Sequence, residues 1–134
     1  MPALKAFIVE DSPVIRENLI AALEELAPVK VVGTAEDEPA AVKWLGKGEH
    51  DCDLVIIDIF LKRGSGLGVL RAAGDLHKPM SLVVLSNYAT PDMRRKCMEL
   101  GASRVFDKSN EIDALIAYCM RLADGETVPG SLTA

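Results

Sequence analysis

Five short strand-like runs, most of them rich in apolar residues, alternate with longer stretches of mixed character along this chain. The runs occupy residues 6–9, 29–33, 54–57, 81–85 and 104–107. Each is bounded by polar or turn-forming residues, which is typical of β-strands. The third run contains no polar residue, as expected of a central parallel strand that is covered on both faces. The first mixed stretch has apolar residues at helical spacing, so the pattern predicts a strand followed by a helix, repeated five times.

Capping signals indicate where the helices begin and end. Ser12 and Thr90 are N-cap residues, and each is followed by a proline, which is tolerated in the first turn of a helix. Asn110 is placed to cap the last helix, and Gly101 stops the fourth. We expect the helices to end near residues 26, 45, 76, 100 and 123. The predicted fold is α/β, a single (βα)5 domain with a doubly wound, five-stranded parallel sheet.

Length and charge restrict the class of protein. With 134 residues and a net charge of −5, the chain is long enough for one domain with its own core. We predict that residues 1–124 form this domain and that the polar residues 125–134 form a tail without regular structure. The negative charge argues against direct contact with nucleic acid. No apolar stretch reaches the roughly 20 residues that span a membrane, and no signal peptide precedes the first strand, so a cytoplasmic location is predicted.

Acidic residues follow two of the predicted strands. Glu10 and Asp11 come directly after the first strand, and Asp58 comes directly after the third. Because the carboxyl ends of parallel strands meet at one edge of the sheet, we expect these carboxylates to lie close together. Two carboxylates 4 Å apart repel each other by about 4 kcal/mol at an effective dielectric constant of about 20. The cluster therefore needs a cation or shifted pKa values, and the pattern predicts a divalent metal site with Lys108 at the same edge.

Taken one at a time, these residues have ordinary explanations. An aspartate at a strand end is most often a turn or helix-cap residue, and Lys108 alone is a surface lysine. The glycine-rich segment KRGSGLG lacks the GK[ST] ending of a phosphate-binding loop, so we interpret it as a flexible turn before the third helix. The three cysteines match neither a metal motif nor a redox pair and are predicted to be small buried residues. Only the combination of charges at one sheet edge indicates a functional site.

Four segments together resemble the receiver domain of bacterial two-component response regulators. They are FIVEDS, LVIIDIFLKRGSGL, VVLSNYA and GASRVFDKS, in that order and on the expected strands. The resemblance covers residues 6–123 and implies a flavodoxin-like receiver fold and a function in phosphorelay signal transduction. It implies that Asp58 takes a phosphoryl group from a sensor histidine kinase or a histidine phosphotransfer protein. Such a protein assists its own phosphorylation and dephosphorylation and does not turn over an external substrate.

The resemblance also implies a Mg²⁺ ion and two groups that contact the phosphoryl oxygens. Mg²⁺ suits a carboxylate-rich, partly hydrated site, whereas zinc would need histidine or cysteine. The Lys108 ammonium would pair with the phosphoryl oxygens, and the Ser86 hydroxyl would donate a hydrogen bond to one of them. The implied metal ligands are Asp11 directly, Glu10 through water, Asp58, and the backbone carbonyl of Phe60.

The chain departs from the family pattern near the site lysine. Many receivers have a proline after this lysine with a cis peptide bond, but Ser109 follows Lys108 here. Because a cis bond without proline costs about 2.5–4 kcal/mol, a trans peptide is predicted. Val105 stands where the family often has a tyrosine or phenylalanine that swings inward. Phe60 and Tyr88, which follow the acceptor and the site serine, are expected to restrict water and slow the loss of the phosphoryl group.

The predicted output is a change in protein contacts. A downstream protein target or a homodimer would use the face formed by the fourth and fifth helices. The candidate residues on this face are Arg94, Arg95, Met98, Tyr118 and Arg121. Whether the chain acts alone, like a chemotaxis regulator, or is the receiver part of a longer DNA-binding regulator stays open.

Three other functions share parts of this pattern. A haloacid-dehalogenase-like phosphatase also uses an aspartate nucleophile, but it needs a second aspartate two positions later, where this chain has Phe60. A flavodoxin-like flavin carrier would need a phosphate cradle after the first strand, where Glu10 and Asp11 would repel the ligand. A pseudo-receiver, which is an interaction module that never accepts phosphate, is the third alternative. Labelling with acetyl phosphate discriminates it from a phosphorylated receiver.

Overall fold

The computed structural model describes residues 3–47, 51–87 and 89–125, and five strands alternate with five helices in them. The strands β1 to β5 are Leu4–Val9, Val29–Ala35, Leu54–Ile57, Ser81–Ser86 and Arg104–Asp107. The helices α1 to α5 are Pro13–Leu26, Glu38–Gly46, Gly66–Asp75, Pro91–Glu99 and Ile112–Ala123. The predicted alternation is confirmed, with element ends that differ by a few residues at most. Tyr88 and residues 126–134, which make up nearly all of the predicted tail, lie outside the described part.

The five strands form one parallel sheet in the order β2-β1-β3-β4-β5. The register pairs Val9 with Ile57, so the residues that follow β1 and β3 emerge side by side. On the other side of β3 in the strand order, Ser86 of β4 pairs with Asp107 of β5. The end of β4 therefore lies next to the end of β5. The predicted α/β fold is therefore correct, and its topology brings all the candidate site segments to one edge.

Both faces of the sheet are covered. Phe7 and Val9 of β1 belong to one cluster of buried apolar side chains, and Ala6 and Ile8 belong to another on the opposite face. All four residues of β3 are buried, as the run without polar residues predicted. Each fully buried aliphatic or aromatic side chain contributes about 1.5–3 kcal/mol, so these two clusters hold the sheet edge in place. No helix in the described part of the chain is both long and apolar enough to cross a membrane.

Two of the three predicted caps are present. The Ser12 hydroxyl accepts a hydrogen bond from the Ile15 backbone at the start of α1, and the Thr90 hydroxyl caps α4 in the same way. The prediction that Asn110 caps the last helix is wrong. Helix α5 begins at Ile112, and its N-cap is Glu111, whose side chain caps nothing in the helix. The Glu111 side chain does not cap the helix because its carboxylate accepts a hydrogen bond from the backbone of Asp107, the last residue of β5.

The cysteines and Trp44 serve as packing residues. Cys97 and Cys119 are buried, Cys52 is half-buried, and all three are free. Burial raises the pKa of the Cys119 thiol to about 12, so it stays protonated and unreactive at neutral pH. The Trp44 ring stacks on Phe7 with a centroid separation of 4.0 Å, which makes it a packing residue between α2 and β1.

Tyr118 was predicted on the exposed face of α5, and this is wrong. Only 3% of its surface is exposed, and its ring packs edge-on against Phe106 at 5.9 Å, with the Arg104 guanidinium over it. The helix therefore turns this side chain toward β5. Its buried hydroxyl makes no hydrogen bond, and burial of an unpaired hydroxyl costs roughly 1–3 kcal/mol.

We expect Tyr118→Phe to raise the free energy of unfolding by about 1 kcal/mol, because the ring packing is kept and the unpaired hydroxyl is removed. Urea denaturation followed by circular dichroism measures the change. Tyr118→Leu is the control, since it also removes the hydroxyl but loses the ring contacts, and it should be less stable than Tyr118→Phe. A decrease in stability for Tyr118→Phe would mean that the hydroxyl has a partner, such as a buried water.

Candidate functional site

The residues predicted to form the site meet at the carboxyl edge of the sheet. The Lys108 ammonium, which follows β5, lies 3.1 Å from an Asp58 carboxylate oxygen and 2.5 Å from a Glu10 carboxylate oxygen. Carboxylate oxygens of Glu10, Asp11 and Asp58 lie within 4.8 Å of one another. Ser86 ends β4, is fully buried, and accepts a hydrogen bond from the Lys108 backbone through its carbonyl at 3.0 Å. One lysine thus bridges two buried carboxylates from neighbouring strands.

Burial dominates the electrostatics of this cluster. Glu10 is 2% exposed and Asp58 is 7% exposed, and burial raises the pKa of both carboxyls even though Lys108 acts to lower them. For Lys108, burial alone would lower the pKa, but the hydrogen bonds and charges of the two carboxylates together raise it above its ordinary value. The lysine is therefore charged at neutral pH. When all three carboxylates are ionised, one ammonium leaves the cluster with an excess of negative charge.

This excess of charge fits a divalent cation. The three acidic side chains offer only oxygen ligands, and no histidine or cysteine belongs to the cluster. Hard oxygen donors with a carboxylate excess suit Mg²⁺ or Ca²⁺ and do not suit zinc. The donor set is therefore of the kind that a hard divalent cation prefers.

Local contacts hold the Glu10 carboxylate at the start of α1. One of its oxygens accepts a hydrogen bond from the Ser12 backbone at 3.1 Å, and the Arg16 guanidinium donates to the Glu10 carbonyl at 2.8 Å. The carboxylate thus lies near the positive end of the α1 dipole. The turn from β1 into α1 therefore aims Glu10 toward Lys108 and leaves Asp11 at the more exposed side of the cluster.

The loop after the predicted acceptor folds back against β3. The Phe60 backbone donates a hydrogen bond that lowers the pKa of Asp58, and Phe60 forms an isolated antiparallel bridge with Ser65. Phe60 is 52% exposed. Tyr88, its predicted partner in restricting water, lies outside the described residues.

The glycine-rich segment, predicted to be a flexible turn before the third helix, is closely packed, and its last residues begin α3. A Cβ at position 66 would lie 2.1 Å from the Asp58 carbonyl oxygen, so only glycine allows this approach. The Glu38 carboxylate accepts a hydrogen bond from the Ser65 backbone at 2.9 Å, and the Glu38 backbone donates to the Arg63 carbonyl at 3.0 Å. Glu38, which sequence reasoning missed, therefore ties α2 to the loop that follows the predicted acceptor.

The segment around Lys108 is held by side chains on both sides. The Asp107 carboxylate accepts hydrogen bonds from the Ser109 backbone at 2.8 Å and from its hydroxyl, which forms an Asx turn. As predicted, the peptide after Lys108 is trans, and no cis peptide occurs in the described part of the chain. Sequence reasoning placed Arg94 on the exposed face of α4, but its guanidinium is partly buried and reaches β5 and Glu111, the residue before α5. These contacts lie too far apart in sequence for any local pattern to indicate them.

Residues 6–119 match the response regulator receiver domain family. Among curated proteins, the chain is 32% identical over 78% of its length to a protein-glutamate methylesterase/protein-glutamine glutaminase of Anaeromyxobacter dehalogenans. It is also 26% identical over 83% of its length to the transcriptional regulatory protein YdfI of Bacillus subtilis. The chain spans 29% and 51% of the lengths of these two relatives, so the similarity covers one part of each.

Solved structures share the same fold. The isolated receiver domain of RcsB from Salmonella enterica serovar Typhimurium, solved in the presence of BeF₃⁻, has a TM-score of 0.80 at 22% identity and covers 94% of this chain and 92% of its own. A structure of the CheX–CheY complex with BeF₃ and Mg²⁺ from Borrelia burgdorferi has a TM-score of 0.79 at 19% identity, with 90% of both chains covered. At these identities the structures establish the fold.

Proposed function

We propose that Asp58 is the phosphoryl acceptor of this chain, which belongs to the response regulator receiver domain family. Membership of this family means that the chain acts in phosphorelay signalling. The observation that carries this proposal is the position of the Asp58 carboxylate. It follows a central strand, lies within reach of Lys108, and shares a cluster with Glu10 and Asp11. Glu10 is equally buried and pairs with the same lysine, but it follows β1, and its carboxylate is also held by the Ser12 backbone.

The chemistry is a transfer between two nucleophiles. An oxygen of the Asp58 carboxylate attacks the phosphorus of a phosphohistidine in line with the P–N bond, the P–O bond forms, and the histidine leaves. A carboxylate needs no general base, so positioning and charge neutralisation supply most of the catalysis. Lys108 pairs with one phosphoryl oxygen, and the Ser86 hydroxyl donates to another. The transfer moves the Lys108 ammonium from its present partners toward the phosphoryl group.

The proposed metal is Mg²⁺, which when bound would neutralise charge on the phosphoryl oxygens. Asp11 would ligate it directly, Glu10 through water, and Asp58 and the Phe60 carbonyl would complete the protein ligands. Burial raises the pKa of Asp58 and of Glu10, and a divalent cation next to them would favour the ionised carboxylates. A bound metal ion would therefore keep the Asp58 carboxylate in its ionised, nucleophilic form.

The proposed partners are a sensor histidine kinase or a histidine phosphotransfer protein as donor, and a downstream protein or a second copy of this chain as target. The exposed face of α4 and α5 carries Arg95 and the half-exposed Met98 and Met120, which can contact such a target. The protein would act in the cytoplasm without turning over an external substrate. A receiver within a longer regulator and a pseudo-receiver are the alternatives, and the second of these predicts no labelling by acetyl phosphate.

The experiment that tests the proposal is labelling of the purified protein with acetyl phosphate and Mg²⁺. A mass gain of one phosphoryl group that requires the metal and maps to Asp58 by peptide mass spectrometry supports it. Absence of labelling, with bound Mg²⁺ detected by calorimetry, would leave the pseudo-receiver as the better description. Labelling that maps elsewhere would reject Asp58 as the acceptor.

We expect Asp11→Asn to weaken Mg²⁺ binding by at least about tenfold, because one of three charged ligands is lost while the size of the side chain is kept. Isothermal calorimetry with MgCl₂ measures the affinity. Asp113→Asn is the control, since it removes one exposed negative charge from α5 and should leave the affinity unchanged. An Asp11→Asn protein that binds Mg²⁺ like the wild type would exclude Asp11 as a direct ligand.

A further inference from the structure

The Arg94 guanidinium joins three segments that border the site. Its Nε donates a hydrogen bond to the Ala89 carbonyl at 3.0 Å, and Nη1 donates to the Val105 carbonyl at 2.8 Å. Its Nη2 lies 2.8 Å from Oε1 of Glu111. Ala89 belongs to the connection that follows Ser86, whereas Val105 and Glu111 lie on either side of Lys108. One side chain of α4 therefore contacts both the connection that follows Ser86 and the segment around Lys108, the two residues proposed to touch the phosphoryl oxygens.

Glu111 closes the short loop that contains Lys108. The oxygen that faces Arg94 also accepts a hydrogen bond from the Asp107 backbone at 2.8 Å, and the Glu111 backbone donates to the Asp107 carbonyl at 2.8 Å. The contact with Arg94 holds the pKa of Glu111 below its ordinary value. The carboxylate is therefore ionised at neutral pH and accepts from both donors at once. The backbone just before Lys108 has little freedom to move.

This arrangement affects geometry more than stability. The side chains of Arg94 and Glu111 are 39% and 36% exposed, and ion pairs this exposed contribute little to the free energy of folding. Phosphoryl transfer by positioning, in contrast, is sensitive to displacements of about 1 Å, which can cost about 100-fold in rate. A loss of these contacts would therefore be expected to change the aim of Lys108 before it changes the fold.

We propose that Arg94 and Glu111 are positioning residues that hold the Lys108 ammonium against the acceptor carboxylate. They do so by fixing the loop of residues 107–111 to β5 and to the connection after β4. This inference rests on the proposed function, since it gives Lys108 the role of pairing with the phosphoryl group. It assigns to α4 a structural link with the site that does not depend on an aromatic side chain at position 105.

The test compares the rate of labelling by acetyl phosphate with the affinity for Mg²⁺. We expect Arg94→Met and Glu111→Ala to lower the labelling rate by about tenfold. The Mg²⁺ affinity should stay within about twofold of the wild type, because the acidic ligands lie on the segments after β1 and β3. Glu111→Gln keeps an oxygen that can accept from Asp107 and should recover most of the rate. Measurements are made at least about 10 °C below the melting temperature of each variant, so that all variants are folded.

Two neighbouring residues provide matched controls. Lys96→Met removes a positive charge from α4 two positions after Arg94, where the lysine is exposed. Asp113→Ala removes a negative charge from the first turn of α5. Both should label at the wild-type rate. If these controls lose as much rate as the Arg94 and Glu111 variants, then the change in net charge alone explains the effect. That result would overturn the proposal.

A double-mutant cycle separates positioning from general damage. If Glu111 acts through Lys108, then Glu111→Ala in a Lys108→Met background should lower the remaining rate by less than about twofold. A further loss of about tenfold in that background would show an independent role and would reject the proposal. If the wild type is not labelled at all, the proposed function fails. If the wild type is labelled and the Arg94 and Glu111 variants match it, the proposed function stands and this inference alone fails.

Discussion

Asp58→Asn is expected to abolish labelling by acetyl phosphate while the protein stays folded. The amide matches the carboxylate in size, so the packing at the end of β3 is conserved, but it has no anionic oxygen to attack phosphorus. It also removes one charge from the cluster of acidic ligands, so Mg²⁺ should bind more weakly. Intact mass spectrometry and thermal denaturation of the same sample measure labelling and folding together.

Asp51→Asn is the matched control for this result. Asp51 precedes the opposite end of β3, where its side chain is 83% exposed and pairs with Lys5 at 3.5 Å. Its replacement should leave both the extent and the rate of labelling unchanged. Stable labelling of the Asp58→Asn protein would move the acceptor to another carboxylate, with Asp11 as the first candidate to be mapped.

Gly66→Ala is expected to have the largest effect on stability among single methyl additions in the site. The new Cβ would lie 2.1 Å from the Asp58 carbonyl oxygen and 2.7 Å from the Ile59 Cα. Both are backbone atoms, so no side-chain rotation can relieve the overlap, and the loop after β3 must move. We expect the free energy of unfolding to fall by about 3 kcal/mol or more, as measured by urea denaturation.

The same displacement should reduce labelling in the fraction that remains folded. Movement of the Asp58 backbone would change the direction of the carboxylate, and a shift of about 1 Å can cost about 100-fold in rate. Gly46→Ala is the control, because a Cβ at position 46, at the end of α2, meets no atom within 4 Å. It should leave labelling unchanged and stabilise the protein by about 0.4–1 kcal/mol. Wild-type stability of Gly66→Ala would show that the loop can relax at little cost.

The two sides of the site are held by different kinds of contact. On the side of β3, the Glu38 carboxylate and the close packing at Gly66 hold the loop that follows Asp58. On the side of β5, Arg94 and Glu111 hold the loop that carries Lys108. Helices α2 and α4 thus each supply one charged side chain that fixes a loop of the site.

The sequence alone determined the order of the elements and the location of the site. Apolar runs without polar alternation indicate strands that are covered on both faces, and this signal is local. Since parallel strands end at one edge of a sheet, the strand pattern by itself indicates that the residues after β1, β3 and β5 lie close together. The cluster of Glu10, Asp11 and Asp58 beside Lys108 follows from these two rules.

The tertiary structure decided which polar group meets which. Asn110 looked like a cap because capping is judged from neighbouring residues, but the adjacent Glu111 is engaged by Arg94, 17 positions earlier. Tyr118 looked exposed because a helical repeat does not specify how far a helix is rotated against β5. Glu38 reaches Ser65 across 27 positions. Contacts of this kind depend on how distant segments pack against one another. The spacing of apolar residues does not specify this packing at the level of single side chains. The hydrogen bonds that aim the site residues therefore became visible only in the folded chain.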